Sequence, residues 1–209
     1  MEFVRTVIKY DGSKGELRRD FLAMRAGLTP NDVVAAGTAL TQRALALPEL
    51  TEAGTVAAYV SVGREPATRA LLDALLEHGV RVLLPVLLPD NDLDWGVYRG
   101  ADHLVRASRG LLEPDGERLG PSAVTSADAV LLPGLAVDAR GMRMGRGGGS
   151  YDRVLARLDR AGVSPARVVL LYDNEVVAAV PSEPHDHPVQ VAVTPGGVRR
   201  FSPRPRPFP

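Results

Sequence analysis

The sequence contains no cysteine. Disulfide bonds, thiolate nucleophiles and cysteine-ligated metal sites are therefore excluded. It also lacks an excess of either charge, because 25 Lys and Arg residues balance 25 Asp and Glu residues. A chain without a global basic field does not match the electrostatics of a nucleic-acid binder, and we predict no nucleic-acid partner.

Long apolar runs are absent as well. No segment approaches the ~18 uncharged apolar residues that a membrane-spanning helix needs, so we predict no membrane partner. Residues 1–13 mix charges with short apolar pieces, and they lack the uninterrupted apolar run of a signal peptide. We therefore expect a cytoplasmic protein.

The residues that are present suit a globular protein. Hydrophobic residues make up 45% and charged residues 24% of a 209-residue chain, which is enough to bury a sizeable core in one domain. We assign 1–13 to a variable lead-in, 14–198 to a single α/β domain and 199–209 to a Pro/Arg-rich tail. The tail is predicted to be disordered because SPRPRPFP cannot form a regular ladder or helix.

Hydrophobic spacing predicts two helices at the start of the domain. In the first, which begins at Lys14, apolar residues recur on one stripe at Leu17, Phe21, Met24 and Leu28. The second begins at Thr29-Pro30, an N-cap followed by a proline in the first turn.

Short apolar runs then alternate with helical segments. The predicted strands are 55–62, 80–87, 95–99, 129–132, 168–172 and 189–193, and the predicted helices are 67–78 and 150–161. This alternation indicates a mainly parallel sheet, and the near-continuous apolar strands indicate a sheet covered on both faces. The expected fold is a three-layer α/β/α architecture with an N-terminal helical pair. Trp95, the only tryptophan, is predicted to pack in the core.

The most informative segment is GMRMGRGGGSYDR, from Gly141 to Arg153, between a predicted strand and a predicted helix. Its glycines let backbone N–H groups approach a ligand, and the start of the next helix adds free N–H groups and a partial positive charge. With Arg143 and Arg146 as cationic donors, the segment suits a polyphosphate. The alternative interpretation is a flexible loop. The segment is neither a Walker A motif nor a Rossmann fingerprint, since both spacings are absent.

A longer stretch, PGLAVDARGMRMGRGGGSYDR from Pro133 to Arg153, carries a family resemblance. It resembles the signature of the 5-formyltetrahydrofolate cyclo-ligase family: Pro-Gly, a short apolar stretch ending in Asp, then Gly-x-Arg-Leu-Gly-x-Gly-x-Gly-x-Tyr-Asp-Arg. The similarity extends from Lys14 to Thr194. Met144 stands where Leu is usual, and Ser150 stands where an aromatic is common, so the contact with the ligand's ring is expected to differ.

The resemblance implies two groups of binding residues. Those implied for ATP are Lys14, Arg18, Arg143, Met144, Gly145, Arg146, Gly147, Gly148, Gly149, Ser150 and Tyr151. Those implied for the folate are Val60, Glu65, Arg146, Gly147, Gly148, Gly149 and Ser150. Lys14, Arg143 and Glu65 are the implied catalytic residues.

Lys14, Arg18 and Arg25 lie within a ~40° sector of the first helix, at ~100° per residue. Spacing alone favours a solvated basic face. However, the pattern Lys-x-x-Leu-Arg resembles the family's N-terminal element that contacts the phosphates of ATP, so Lys14 and Arg18 are assigned to it. Arg25 receives no role from the sequence.

Glu65 follows the predicted strand TVAAYVSV and precedes a helix. A carboxylate at the C-terminal end of a parallel strand lies where α/β proteins bind ligands. On position alone, the favoured interpretation is that Glu65 is an acid in the first turn of the following helix. The resemblance implies instead that Glu65 binds the folate and that Val60 lines the same pocket.

Asp152 lies in the first turn of the helix after the glycine segment, where an acid suits the helix dipole. The resemblance implies that Asp152 and Asp186 hold Mg²⁺, a cation that is bound through one or two carboxylates and substrate phosphates. His185 and His187 flank Asp186 and suggest zinc, but they form no helical i,i+4 pair and no cysteine is nearby, so zinc is disfavoured.

The implied reaction converts ATP and 5-formyltetrahydrofolate to 5,10-methenyltetrahydrofolate, ADP and phosphate. The formyl oxygen would accept the γ-phosphoryl group and leave as phosphate when N10 closes the ring. Two alternatives stay open: a sugar-phosphate or CoA-handling enzyme on a related α/β scaffold, and a non-catalytic nucleotide- or folate-binding module. The expected partners are the small molecules ATP and 5-formyltetrahydrofolate, and the expected state is a monomer or a weak homodimer.

Overall fold

A computed structural model, which describes residues 13–183 and 186–201, arranges the chain in three layers around a seven-stranded sheet. The helices are α1 Lys14–Ala26, α2 Pro30–Ala44, α3 Pro48–Thr51, α4 Arg69–Glu77 and α5 Ser150–Arg160. The strands are β1 Thr55–Ala57, β2 Arg81–Leu87, β3 Leu93–Val97, β4 Leu104–Arg106, β5 Leu112–Pro114, β6 Ala129–Pro133, β7 Ala136–Val137, β8 Arg143–Met144, β9 Ala166–Leu170, β10 Val191–Thr194 and β11 Gly197–Arg200.

The main sheet has the order β11-β10-β9-β6-β1-β2-β3. All pairings from β10 to β2 are parallel, while β3 and β11 pair antiparallel at the two edges. The predicted mainly parallel α/β fold is therefore confirmed. Two short antiparallel hairpins, β4–β5 and β7–β8, lie outside this sheet.

Each face of the sheet buries its own apolar cluster. One cluster contains side chains of α2 and α4 with alternate strand residues such as Val56 and Val82. The other contains α5 side chains with the intervening residues, including Leu83 and the fully buried Trp95. Because successive strand residues point to opposite faces, strands that are apolar throughout can serve both clusters. The predicted core position of Trp95 is confirmed.

Both predicted N-terminal helices are present, and each begins with a capping box. Ser13 caps α1 with Glu16, and Thr29 caps α2 with Asp32. Their apolar faces serve different parts of the fold, however. Leu17 of α1 packs in a separate cluster with the β7–β8 hairpin, whereas α2 packs on the sheet. The helix α1 is thereby held beside the functional site.

Two boundaries differ from the sequence prediction by more than two residues. The strand predicted at 55–62 ends at Ala57, after which the chain leaves the sheet across its carboxyl edge. Residues 199–201 were assigned to a disordered tail, and this is wrong: Arg199 and Arg200 belong to β11, and Phe201 is buried against the core. The rest of the tail, 202–209, and most of the lead-in, 1–12, lie outside the described residues. Within the described ranges, no helix is both long and apolar enough to cross a membrane.

The strand order predicts a crevice between β1 and β6, at the carboxyl edge of the sheet. From β1 the chain moves to β2 on one side through α4, and the later strands β6, β9 and β10 add on the other side. Such a reversal of direction opens a gap at the carboxyl ends of the two central strands. Glu65 follows β1 and Gly134 follows β6, so both segments border this gap.

Candidate active site

The crevice at the carboxyl edge of the sheet is a cavity of about 790 Å³. It is lined by every residue that the sequence analysis placed in the site: Lys14, Arg18, Val60, Glu65, Arg143, Met144, Gly145, Arg146, Gly147, Gly148, Gly149, Ser150, Tyr151, Asp152 and Asp186. Residues from both ends of the chain thus share one space. The structure brings the predicted nucleotide and folate residues together.

The glycine segment presents unoccupied backbone donors to this cavity. Gly147 and Gly149 have positive φ angles of 94° and 74°, a region that suits glycine. No amide from Gly145 to Gly149 donates a hydrogen bond to another residue of the described ranges. The α5 helix follows directly, and its N-cap, Gly149, offers no side-chain acceptor to the first turn. These N–H groups and the helix dipole form a site that suits an anion.

The side chains of Arg143 and Arg18 occupy the space beside two of these glycines, where a Cβ would otherwise lie. A Cβ at Gly145 would lie 2.7 Å from Nη1 of Arg143, and a Cβ at Gly147 would lie 3.3 Å from Cζ of Arg18. Nε of Arg18 donates to the carbonyl oxygen of Gly145 at 3.0 Å, which ties α1 to the segment. The small residues therefore permit both the ligand and the two guanidinium groups to approach the backbone.

The β7–β8 hairpin, which carries Arg143, is organised by a fully buried carboxylate. Oδ1 of Asp138 accepts from the amides of Arg140 and Met142 at 2.8 and 3.0 Å, and Oδ2 accepts from the Arg140 guanidinium. This closes the turn between the two strands. Asp138, which matches the Asp of the signature described above, therefore has a structural role: it fixes the turn and with it the direction of the Arg143 side chain.

Two cation–carboxylate pairs line the cavity. Nη2 of Arg143 donates to Oδ1 of Asp152 at 2.8 Å, and Nζ of Lys14 donates to Oδ2 of Asp186 at 2.8 Å. Burial lowers the pKa of the Arg143 guanidinium, while the charges of Asp152 and Asp186 oppose that shift. The other terminal nitrogen of Arg143 donates to the Pro133 carbonyl. A direct contact of Arg143 with phosphate thus stays a prediction.

Glu65 is held at the edge of the cavity by a closed turn. Its Oε2 accepts from the Val62 amide at 2.9 Å, and Oε1 accepts from Nη1 of Arg146 at 3.3 Å. The turn itself is braced because Oγ1 of Thr68 accepts from the Ser61 amide and donates to the Tyr59 carbonyl. Glu65, the residue predicted to bind the folate, therefore contacts Arg146 of the glycine segment, 81 positions later in the sequence.

An apolar wall of the cavity was missed by the sequence analysis. It comes from the ends of β2 and β3 and from the β4–β5 hairpin, and its residues are Pro85, Leu87, Leu93, Leu111 and Leu112. Val60, which was predicted, faces the same space. The segment 101–127 is polar and rich in turns, so no local pattern showed that its hairpin folds over the site.

Two tyrosine hydroxyls at the cavity have no hydrogen-bond partner among the described residues. They belong to Tyr59 and Tyr151, which line the cavity, and both oxygens are buried. Burial raises the pKa of each phenol, and the charge of Glu65 adds to the shift. Both groups therefore stay protonated and can donate to a ligand. Tyr151 was predicted from the sequence, whereas Tyr59 was missed.

Replacing Tyr59 with phenylalanine is expected to stabilise the ligand-free protein by about 1 kcal/mol, because a buried hydroxyl without a partner costs free energy. Urea unfolding measures the change. Tyr98→Phe is the matched control: the Tyr98 hydroxyl donates to Asp73, so the same deletion should lower stability there. Equal losses in the two variants would show that the Tyr59 hydroxyl has a partner after all.

Arg25, which received no role from the sequence, is buried rather than solvated. Its Nε and Nη2 donate to the two oxygens of Glu175 at 2.7 and 2.9 Å, and Nη2 also donates to the Gly134 carbonyl at 2.6 Å. The buried stripe of α1 consequently runs through Arg25, and Met24 is 40% exposed. The prediction that Met24 lies on the buried stripe of α1 is therefore wrong, because Arg25 faces inward at this turn and pairs with Glu175.

The histidines near Asp186 divide between described and undescribed residues. His185 lies outside the described residues, and Nδ1 of His187 is 2.9 Å from Oδ2 of Asp159 on α5. Within 13–183 and 186–201, no group of three His, Asp or Glu side chains is arranged to hold a metal ion by itself. A divalent cation at Asp152 and Asp186 would need ligand oxygens to complete its shell.

Comparison with known proteins agrees with this geometry. The model of the 5-formyltetrahydrofolate cyclo-ligase family matches residues 10–195. The 5-formyltetrahydrofolate cyclo-ligase of Mycolicibacterium smegmatis is 44% identical over 146 residues, which cover 68% of this chain and 73% of that protein. The Escherichia coli enzyme of the same name is 32% identical over 176 residues, 83% of this chain and 96% of that protein.

Solved structures show the same architecture. The 5,10-methenyltetrahydrofolate synthetase of Aquifex aeolicus superposes with a TM-score of 0.77 at 28% identity, covering 93% of this chain and 96% of that one. The synthetase of Mycoplasma pneumoniae, at 18% identity, superposes with a TM-score of 0.70 over 88% of this chain and 99% of that one, and it supports the fold alone.

Proposed function

Because the chain belongs to the 5-formyltetrahydrofolate cyclo-ligase family, we propose that it converts ATP and 5-formyltetrahydrofolate to 5,10-methenyltetrahydrofolate, ADP and phosphate. The observation that carries the proposal is the single cavity shared by the open amides of the glycine segment and by Glu65. A nucleotide and a folate bound there would lie side by side. The reaction needs such proximity, since a phosphoryl group passes from one to the other.

The chemistry consists of two displacements. The formyl oxygen attacks the γ-phosphorus and ADP leaves, so the formyl oxygen becomes part of a phosphate ester. N10 then attacks the formyl carbon and loses its proton, the C–O bond breaks, and phosphate leaves as the ring closes. The protein contributes positions and charges to both steps.

We assign the phosphate end of the cavity to α1 and the glycine segment. The amides from Gly145 to Gly149 would bind the nucleotide's phosphate oxygens, and Lys14 and Arg18 would neutralise their charge. Arg143 contributes through its bond to Asp152, and its own Nε has no partner among the described residues. We also propose that the enzyme works as a monomer or a weak homodimer.

We further propose that Mg²⁺ accompanies the nucleotide and is held by Asp152 and Asp186. The donor set fits this ion, since two carboxylates line the cavity beside the amides that face the phosphates. Mg²⁺ would neutralise phosphate charge during the transfer. Lys14 and Arg143 already orient these carboxylates. We place the reaction in the cytoplasm, where ATP is available.

The folate end is assigned to Glu65 and the apolar wall. A carboxylate held by Val62 and Arg146 can accept from the N–H groups of a pterin ring. The leucines of the wall and Val60 suit the flat faces of the ring system. Ser150, where the family commonly has an aromatic, leaves more of this packing to the wall.

The direct test is the absorbance of the methenyl product. Purified protein is mixed with 5-formyltetrahydrofolate in the presence and absence of ATP and Mg²⁺. Product should form only when ATP is present, with one ADP released per ring closed. Binding of both ligands without turnover would favour a non-catalytic module, and no binding of the folate would favour a different phosphate-handling enzyme.

Substitution of Gly147 by alanine should raise the KM for ATP by about tenfold to one hundredfold. An alanine at a φ of 94° is strained by roughly 1–2 kcal/mol and presses on Arg18, so the amides turn away from the phosphates. Gly162→Ala is the control, because Gly162 also has a positive φ but lies in open space at the end of α5. It should lose stability and keep its KM. If both variants keep the KM for ATP, the segment does not bind the phosphates.

A further inference from the structure

One cationic side chain of the cavity takes no part in the reaction proposed above. Arg109 lies in the β4–β5 connection, lines the cavity and is exposed at its rim. Its backbone is left-handed, with φ 56° and ψ 22°. Such a conformation is uncommon for arginine and is kept where the surroundings determine it.

The hairpin that carries Arg109 is tied to the main sheet. Oε1 of Glu113, on β5, accepts from the amide of Leu87 at the end of β2, at 3.0 Å. Nη1 of Arg109 donates to Oδ1 of Asn91 at 2.9 Å, and Asn91 is also left-handed, with φ 64°. The β4–β5 hairpin and the β2–β3 loop therefore fix the orientation of the Arg109 guanidinium.

The loop that contains Asn91 is in turn held by α5. Arg157 donates to Oδ2 of Asp92 at 2.6 Å, and Arg153 donates to the carbonyl oxygen of Asp90 at 2.8 Å. Asn91 thus has a fixed position between two anchored neighbours. The bond from Arg109 to Asn91 consequently fixes the guanidinium relative to the whole fold.

The charge of Arg109 is not matched by a carboxylate. Three other cations of the cavity are paired with acids: Arg146 with Glu65, Arg143 with Asp152 and Lys14 with Asp186. Arg109 bonds to a neutral amide, and among the described residues it forms no ion pair. Its remaining N–H donors can therefore bind an anionic group of a ligand.

The strand order separates Arg109 from the glycine segment. Along the sequence β6–β1–β2–β3, the segment after β6 borders the glycine side, Glu65 follows β1, and the apolar wall follows at β2 and β3. Arg109 is bonded to the β2–β3 loop and flanked by Leu111 and Leu112 of the wall. A ligand whose ring end meets Glu65 would cross the wall and end at Arg109.

We propose that Arg109 binds the carboxylate of the glutamate that ends the folate substrate. This inference rests on the proposed function, and it names the residue that recognises the tail. A folate has a polar ring system, an apolar aminobenzoate ring and a glutamate carboxylate in that order, which matches Glu65, the leucine wall and Arg109. Because Arg109 lies at the rim, the tail extends toward solvent, where further glutamates can follow.

The test compares two substrates that differ only in the tail: 5-formyltetrahydrofolate and the methylamide of 5-formyltetrahydropteroate, in which an uncharged amide replaces the glutamate. Arg109→Ala should raise the KM for the first by about tenfold to one hundredfold, the range of a charge-assisted hydrogen bond. The KM for the second and the KM for ATP should change less than twofold, and kcat should be kept. Arg109→Lys, which keeps the charge but loses the fork, should give an intermediate loss.

Arg106→Ala is the matched control, since it removes the same charge from the same hairpin at an exposed position outside the cavity. It should leave all three constants unchanged. A thermal melt of each variant shows whether the fold is kept. Equal losses with the two folates, a loss confined to ATP, or no loss would each overturn the assignment.

Calorimetry with the same two folates keeps the two proposals distinct. A wild-type protein that binds the folate but does not turn it over would contradict the enzymatic proposal, while the binding difference between the two ligands still tests Arg109. Turnover by wild type with unchanged constants in Arg109→Ala would contradict the Arg109 assignment alone. A protein that binds neither folate would overturn both.

Discussion

Replacement of Glu65 by glutamine should lower kcat/KM for 5-formyltetrahydrofolate about a thousandfold, which corresponds to roughly 4 kcal/mol of transition-state binding. The carboxylate is only 10% exposed, and it is oriented by the Val62 amide and the Arg146 guanidinium. Glutamine has nearly the same shape, but it replaces an anionic acceptor with a donor. A folate N–H would then face an amide N–H, and an interaction with a buried charge would be lost.

Steady-state kinetics with each substrate varied separately measure this effect. The KM for ATP should stay within about threefold, since our proposal assigns Glu65 to the folate and not to the nucleotide. Glu77→Gln is the control, because it removes the same charge from an exposed position on α4. A thousandfold loss that appears only in the KM for ATP would contradict the assignment of Glu65 to the folate.

Arg25→Met should destabilise the fold by about 3–5 kcal/mol, the cost of leaving one member of a buried ion pair without its partner. Glu175 is 1% exposed, and Arg25 is 4% exposed. The methionine fills much of the volume, but among the described residues it leaves the Glu175 carboxylate with only the Tyr172 amide as a donor. The Gly134 carbonyl, just before the β7–β8 hairpin, also loses its donor.

The loss should depend on pH. Burial already raises the pKa of Glu175, and Arg25 opposes that shift. Without Arg25 the pKa of Glu175 in the folded state rises further above its value in the unfolded state. The charged carboxylate then lowers the stability of the folded state, and this loss disappears as the carboxylate binds a proton at lower pH. Urea unfolding at pH 8 and pH 5 should therefore show the larger destabilisation at pH 8.

Two controls separate this pair from charge removal in general. Arg25→Met combined with Glu175→Leu should regain most of the lost stability, because no buried charge remains. Arg200→Met breaks an ion pair with Glu49 in which the arginine side chain is about half exposed. This change should lower the free energy of unfolding by less than about 1 kcal/mol. A loss from Arg25→Met no greater than that of Arg200→Met would mean that the pair contributes little to the fold.

Local patterns were sufficient to predict the alternating elements and the glycine segment. The start of α2 at Pro30, the helix after Gly149 and the buried strands around 81–87 and 129–133 each carry a signal within a few residues. The residues of the candidate site were identified through a family resemblance. Their meeting in one cavity follows from the strand order, which places the ends of β1 and β6 next to each other.

The missed features depend on partners that are distant in the sequence. Arg25 is buried because Glu175 lies opposite, 150 positions later, and Arg109 reaches the cavity because the hairpin is tied to β2 through Glu113. β11 has no strong strand pattern, and it forms because an edge of β10 is open and Phe201 has a place in the core. Such residues acquire their role only in the folded chain.

The position of α1 also has a consequence for the order in which the protein forms. Leu17 and Phe21 pack against Leu135, Met144 and Val177 rather than against anything near them in the chain, and Arg18 bonds to a residue 127 positions later. During synthesis this helix leaves the ribosome before its packing partners, and it can dock only after more than one hundred further residues have been made. The proposed phosphate end of the cavity should therefore be among the last parts to be completed, and the entropic cost of joining two such distant segments should slow folding.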